Sequence, residues 1–189
     1  MAEWIITKSL VVSGFWSGES KYGSNMNQTN EIYGGWFRNS LQINSPYLIF
    51  HGRDDDDLLK QSRNSSLLPT VFVELDESEF LTTKLAHHIN HASRVWNEKL
   101  DLLLRAHSMF PHVEWFSWVD AGVNTFRETM PPKVSWPQID LNSKYPPSLV
   151  FTRQSGVHHD MICGNMFMVH RAVLPEIHKH YYEDLKSDG

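Results

Sequence analysis

Val113-Glu114-Trp115-Phe116-Ser117-Trp118-Val119-Asp120-Ala121-Gly122-Val123-Asn124 is the stretch on which the fold turns. From 113 to 119 both alternating sets of positions carry apolar or aromatic side chains, so a strand here is covered on both faces, as in the interior of a parallel sheet. The run stops at a carboxylate, Asp120, and two small residues follow, Ala121 and Gly122, which let backbone and ligand approach closely. In open α/β sheets ligands bind at the carboxyl ends of the strands, and Asp120 stands at such an end. A diphosphate carries several negative charges and sits beside an aspartate only when a cation bridges them. Mg2+ or Mn2+ does this with oxygen ligands. The competing reading is that Asp120 caps a turn, and the chemistry of the stretch alone leaves both open.

Working outward, the run Leu10-Val11-Val12, closed by Ser13-Gly14, predicts a first buried strand over 9–16. Residues 17–30 are rich in Gly, Ser and Asn and read as a loop. Ile32, Trp36 and Leu41 recur at near-helical spacing and predict a helix over 31–43. Short apolar runs predict strands at 47–50 and 70–75, with a short helix at 54–61 between them. Residues 80–108 read as helical with a break near Ser93, 148–152 and 162–169 as two more strands, and 172–186 as a closing helix. Residues 128–148 carry five prolines and no clear period, and read as an ordered loop across the rim. Strands alternating with helices imply βαβ units: an α/β fold with a central, mostly parallel sheet flanked by helices.

With 189 residues the chain is expected to form a single domain, 1–189, or one domain of a longer protein. A net charge of −5 argues against broad nucleic-acid binding, which needs a basic surface. One cysteine, Cys163, allows no intrachain disulfide. No apolar run approaches a membrane span and the amino terminus lacks the pattern of an export signal, so the expected location is cytoplasmic.

The chain resembles the HtrL/YibB-like family of predicted glycosyltransferases. The matching pieces are 10–13, 47–50, Val95-Trp96-Asn97-Glu98-Lys99, Trp118-Val119-Asp120-Ala121-Gly122 and Gly164-Asn165-Met166-Phe167, in this order along most of the chain. The end of the central strand looks like the W-x-D-x-D element of GT-A glycosyltransferases, which holds a metal and a sugar nucleotide. The resemblance implies a Rossmann-like GT-A domain that transfers a sugar from a nucleotide-sugar donor to a saccharide or glycan acceptor. It also implies Mn2+ or Mg2+ on Asp120. The second acidic position of that element is here Gly122, which leaves Asn124 or a water to fill it. A late histidine ligand has candidates in His178 and His180.

The resemblance further implies that Lys99 faces the donor, where an ammonium offsets phosphate charge; the plainer reading is a solvated helix lysine. Ser13 and Gly14 end the first strand, where a nucleotide needs close backbone contact. Asp54 either accepts from base or ribose or, with Asp55 to Asp57, complements a helix start. Asp76 and Glu77 end the third strand as cap or as ligand. Asp160, beside His158 and His159, is the candidate base that takes the proton from the acceptor hydroxyl. Two other classes stand beside the transferase. One is a non-catalytic module of the same fold. The other is a zinc hydrolase using His87 and His91, which are four apart on one helical face but lack the glutamate that such a motif requires.

Overall fold

The computed structural model describes residues 8–16, 30–63, 68–85, 91–136, 140–153 and 162–187. Its strands are β1 (Ser9–Phe15), β2 (Tyr47–His51), β3 (Thr70–Glu74), β4 (Trp115–Val119), β5 (Leu149–Arg153) and β6 (Ile162–His170). Its helices are α1 (Asn30–Ser40), α2 (Asp56–Ser62), α3 (Leu81–Leu85), α4 (His91–Asn97), α5 (Lys99–Met109), α6 (Leu141–Lys144) and α7 (Leu174–Ser187). Short 3-10 turns at Arg53–Asp55, Glu77–Glu79 and Asn124–Phe126 follow the ends of β2, β3 and β4.

The six strands form one sheet in the order β3-β2-β1-β4-β6-β5. The β1–β2, β2–β3 and β1–β4 pairings are parallel, while β6 runs antiparallel to both β4 and β5. The fold is therefore the mixed α/β type expected, mostly parallel, with the expected central strand at β4. Every residue of β4 is buried, as the double-faced apolar pattern requires.

Strand alternation divides the core in two. Leu10, Val12, Phe116, Trp118, Phe167 and Val169 pack on one face with Leu102, Leu103 and Ala106 of α5 and Leu174 of α7. Val11, Phe15, Ile49, Val119 and Met166 pack on the other with Phe37 of α1 and Leu59 of α2.

Two expectations need correcting. Ser93, near which a helical break is expected, lies inside α4, and α4 passes into α5 at Glu98. Glu98 is fully buried and turns its carboxylate toward α3, accepting from Leu81 N (2.8 Å), Thr82 N (2.9 Å) and Thr82 Oγ1 (2.8 Å). It thereby satisfies amides at the start of α3 that have no partner within that helix. The second correction concerns 128–148, which is not wholly irregular. Asp140 accepts from Asn142 N (3.1 Å) and starts the short helix α6 within it. Among the described residues no helix is long and apolar enough to cross a membrane.

Candidate functional site

Trp118 and Asp120 are two residues apart at the end of β4, so their side chains leave on the same face of the sheet, the one α5 covers. The Trp118 indole Nε1 donates to Asp120 Oδ1 at 2.5 Å. Lys99, the first residue of α5, reaches the same carboxylate. Its Nζ lies 2.8 Å from Oδ1 and 3.0 Å from Oδ2, and donates a further bond to the Gly164 carbonyl at 3.0 Å. The ammonium also stands 5.8 Å from the Trp118 ring centre.

The backbone around the carboxylate is equally fixed. Asp120 N donates to Asn165 O (2.9 Å), and Val123 N donates to Asp120 O (3.1 Å). Residues from β4, α5 and β6, distant in sequence, therefore meet at one strand end. The Lys99 and Asp120 side chains are 14% and 23% exposed, enough for a ligand to touch and too little for solvent to screen them fully.

The other candidate residues divide sharply. Ser13 is fully buried, and its hydroxyl donates to Val119 O at 2.6 Å, extending the β1–β4 pairing beyond its last registered pair, Val12 with Trp118. That hydroxyl is engaged inside the sheet. A Cβ added to Gly14 would lie 2.5 Å from the Trp16 ring. Trp16 folds back over this glycine, packs edge-on against Phe80 (4.8 Å between centres) and donates from Nε1 to Leu75 O (2.9 Å). Close packing by the protein's own tryptophan therefore accounts for Gly14.

Asp54 is exposed at the carboxyl end of β2, beside the surface pair Arg53–Glu74 (3.1 Å). Asp55, grouped with it as a helix-start charge, is buried. Asp76 caps the turn at Glu77–Glu79, accepting from Ser78 N at 2.8 Å, and hydrogen bonds from the Ser78 side chain and then its backbone hold the carboxyl below the usual range. Gly122 is buried, and its carbonyl receives Arg127 Nε (3.0 Å). Arg127 lies over the Trp36 ring at 3.9 Å, and Asn39 Nδ2 donates to the carbonyls of Phe126 (2.9 Å) and Arg127 (3.2 Å). These contacts dock the segment after β4 onto α1. Sequence reasoning passed over Arg127 and Asn39, and neither carries a local signal.

The Asn124 side chain, Asp160 and His87 lie outside what the structure describes, as does the side chain of His91, which opens α4. His178 and His180 are not brought to Asp120. His178 Nε2 meets Asp101 Oδ1 of α5 at 3.1 Å and stacks on Tyr182, while His180 is exposed beside Glu176 and Glu183.

The expected cation can be tested against this donor set. Asp120 supplies a single carboxylate whose two oxygens are both in contact with the Lys99 ammonium. Among the described residues no group of three or more His, Cys, Asp or Glu converges on one point. With the ammonium against both oxygens and no second acidic ligand beside Asp120 among the described residues, this donor set as arranged is a poor fit for a divalent ion. Unit charges about 4 Å apart interact by about 4 kcal/mol near a protein surface, so a bare Asp120 would repel a phosphate to that order, whereas the paired carboxylate is largely neutralised.

No family model matches the chain, and no curated protein matches it. The resemblance to HtrL/YibB-like proteins therefore stands on the residues quoted for it. Solved structures do match. Mouse xyloside xylosyltransferase 1, in its apo form, aligns over 94% of this chain and 71% of its own, at 8% identity and a TM-score of 0.50. A glycosyltransferase involved in the glycosylation of the major capsid of PBCV-1 aligns over 93% of this chain and 65% of its own, at 17% identity and 0.47. The manganese complex of Rv0371c from Mycobacterium tuberculosis H37Rv aligns over 92% and 76%, at 13% identity and 0.47. This chain thus spans under two thirds of the length of the PBCV-1 capsid enzyme. At these identities the likeness is one of fold, and that fold is GT-A-like.

Proposed function

We propose that this chain binds a nucleotide-diphosphate sugar at the carboxyl ends of β1, β2 and β4 and transfers the sugar to a hydroxyl of a saccharide or glycan acceptor. The observation that carries the reading is the Lys99–Asp120 pair, held by Trp118 and Gly164 at the end of the central strand. A semi-buried ammonium there supplies charge for a diphosphate. The HtrL/YibB-like resemblance and the GT-A-like sheet order support the same assignment, with the chain acting as one nucleotide-sugar transferase-like domain.

In this reading Trp118 and Lys99 fix the carboxylate, and Asp54, exposed at the end of β2, is available to base or ribose. Asp160 is the group we assign to take the proton as the acceptor oxygen attacks the anomeric carbon. Calorimetry with a panel of nucleotide sugars, followed by an assay for released nucleoside diphosphate, tests the proposal. Binding with transfer or slow hydrolysis supports it. Binding without any turnover indicates a module that keeps the fold alone. No binding across the panel defeats both.

A further inference from the structure

We infer that Lys99 is the resident countercharge for the diphosphate, standing where a divalent metal would otherwise bridge Asp120 and the phosphates. The inference rests on the proposed nucleotide-sugar site, and it assigns that site a built-in cation.

Three observations carry it. First, the ammonium straddles both oxygens of Asp120, at 2.8 and 3.0 Å, so a metal on this carboxylate competes with a cation already in place. Second, Lys99 is anchored independently of Asp120. It donates to Gly164 O at 3.0 Å and faces the Trp118 ring, so it has reason to stay when a ligand arrives. An ammonium has three N–H groups. One N–H shared between the two Asp120 oxygens and one on Gly164 O leave the third without an acceptor among the described residues, available to a phosphate oxygen. Third, the position that would supply a second acid is Gly122, which is buried and whose carbonyl already accepts from Arg127.

Helix geometry adds to this. Lys99 is the first residue of an eleven-residue helix, and the preceding Glu98, which occupies the cap position, makes no side-chain cap bond to it. A cation at a helix amino terminus is disfavoured by the helix dipole. The Asp120 carboxylate offsets that cost in the free protein, and an incoming anion meets the ammonium.

The test uses the full chain and uridine diphosphate as probe, with binding measured by calorimetry in EDTA and in Mn2+. The inference expects wild-type binding of equal strength in the two buffers. Lys99→Met should weaken binding in EDTA by about 10- to 100-fold, the factor of one charge-assisted hydrogen bond, and Mn2+ should restore part of it because Asp120 is then open to the metal. Asp120→Asn should bind in EDTA as well as wild type or better. Wild-type binding that appears only with Mn2+ overturns the inference and leaves the nucleotide site standing. Absence of binding in both buffers, repeated with guanosine, cytidine and thymidine diphosphates, overturns the site itself and the inference with it. If Lys99→Met does not fold, the wild-type comparison and Lys99→Arg decide. The arginine variant should keep EDTA-resistant binding, and a switch to Mn2+ dependence there counts against Lys99.

Discussion

Two cations hold the two edges of the same sheet, and they do so in opposite ways. At the amino-terminal edge, Arg63 is buried after α2 and places all five of its N–H groups. Nη1 donates to Leu41 O and to Ile43 O (2.7 Å), Nη2 to Ser45 O (2.8 Å) and Leu68 O (3.1 Å), and Nε to Thr70 Oγ1 (2.8 Å). It rests over the Tyr47 ring at 5.0 Å, and burial lowers its pKa from the usual arginine value. At the carboxyl-terminal edge, Lys99 meets one carboxylate and one carbonyl. Arg63 is saturated by neutral acceptors that cannot leave, so it staples the loops before β2 and β3 and has no capacity for a ligand. Lys99 is paired with a group whose charge a ligand can replace. Burial of a cation therefore does not mark a site; the identity of its partners does.

The comparison breaks most visibly at Arg63. Arg63→Met should cost about 3–5 kcal/mol of stability, since several buried carbonyls lose a charged donor together. Urea denaturation measures this, and a loss below about 1 kcal/mol would mean that water replaces the guanidinium and that the staple is dispensable. Next comes Glu98→Ala, expected to cost about 2–3 kcal/mol because the Leu81 and Thr82 amides lose their acceptor, while Thr82 Oγ1 keeps Arg94 O. Asp120→Asn is expected to cost only about 0.5–1 kcal/mol in the same experiment, since the pair is partly solvated and the amide still accepts from Trp118. A large loss there would make Lys99–Asp120 a second staple and erase the contrast.

The smallest effect is one of pH. Burial, with Asp101 nearby adding to it, raises the Glu98 pKa above the usual glutamate value despite the bonds from Thr82 and Leu81. The folded state thus holds this proton more tightly than the unfolded one. The resulting stability is complete below the ordinary glutamate pKa and is lost as pH rises through the raised value. Glu98→Gln lacks that dependence. Between pH 7 and pH 4 the stability difference should therefore move toward wild type, at no more than about 1.4 kcal/mol per pH unit. Parallel curves for the two proteins would show that the carboxyl titrates alike folded and unfolded.

The parts of this site that were legible in sequence are those fixed by local period. Double-faced burial in β4 and the common side of Trp118 and Asp120 follow from an alternation of two. Lys99 was legible as a residue of the helix before β4, but its partner was not. Twenty-one residues separate it from Asp120, and the register of α5 on the sheet is set by Leu102, Leu103 and Ala106. Ser13 lies at a strand end, and strand order, which no local pattern reveals, makes its hydroxyl a clasp to Val119. The return of Trp16 over Gly14 is likewise beyond any local pattern. The antiparallel direction of β6 was equally hidden, and with it the approach of Gly164 to Lys99.

That β1 lies inside the sheet, between β2 and β4, also governs the order in which the molecule can assemble. Its first neighbour arrives about thirty residues later in the chain, but the Ser13–Val119 clasp spans 106 residues and the Lys99–Gly164 bond another 65. Loop closure over such separations must precede any reward from the contacts, and chains dominated by them fold slowly. During synthesis β1 emerges before the other described strands, yet it stays open on one side until β4, about a hundred residues later, has followed. The strand end that carries Asp120 then waits for β6 before Lys99 has its second acceptor. Until that last strand docks, the chain has a hydrophobic edge in need of protection and no competent site.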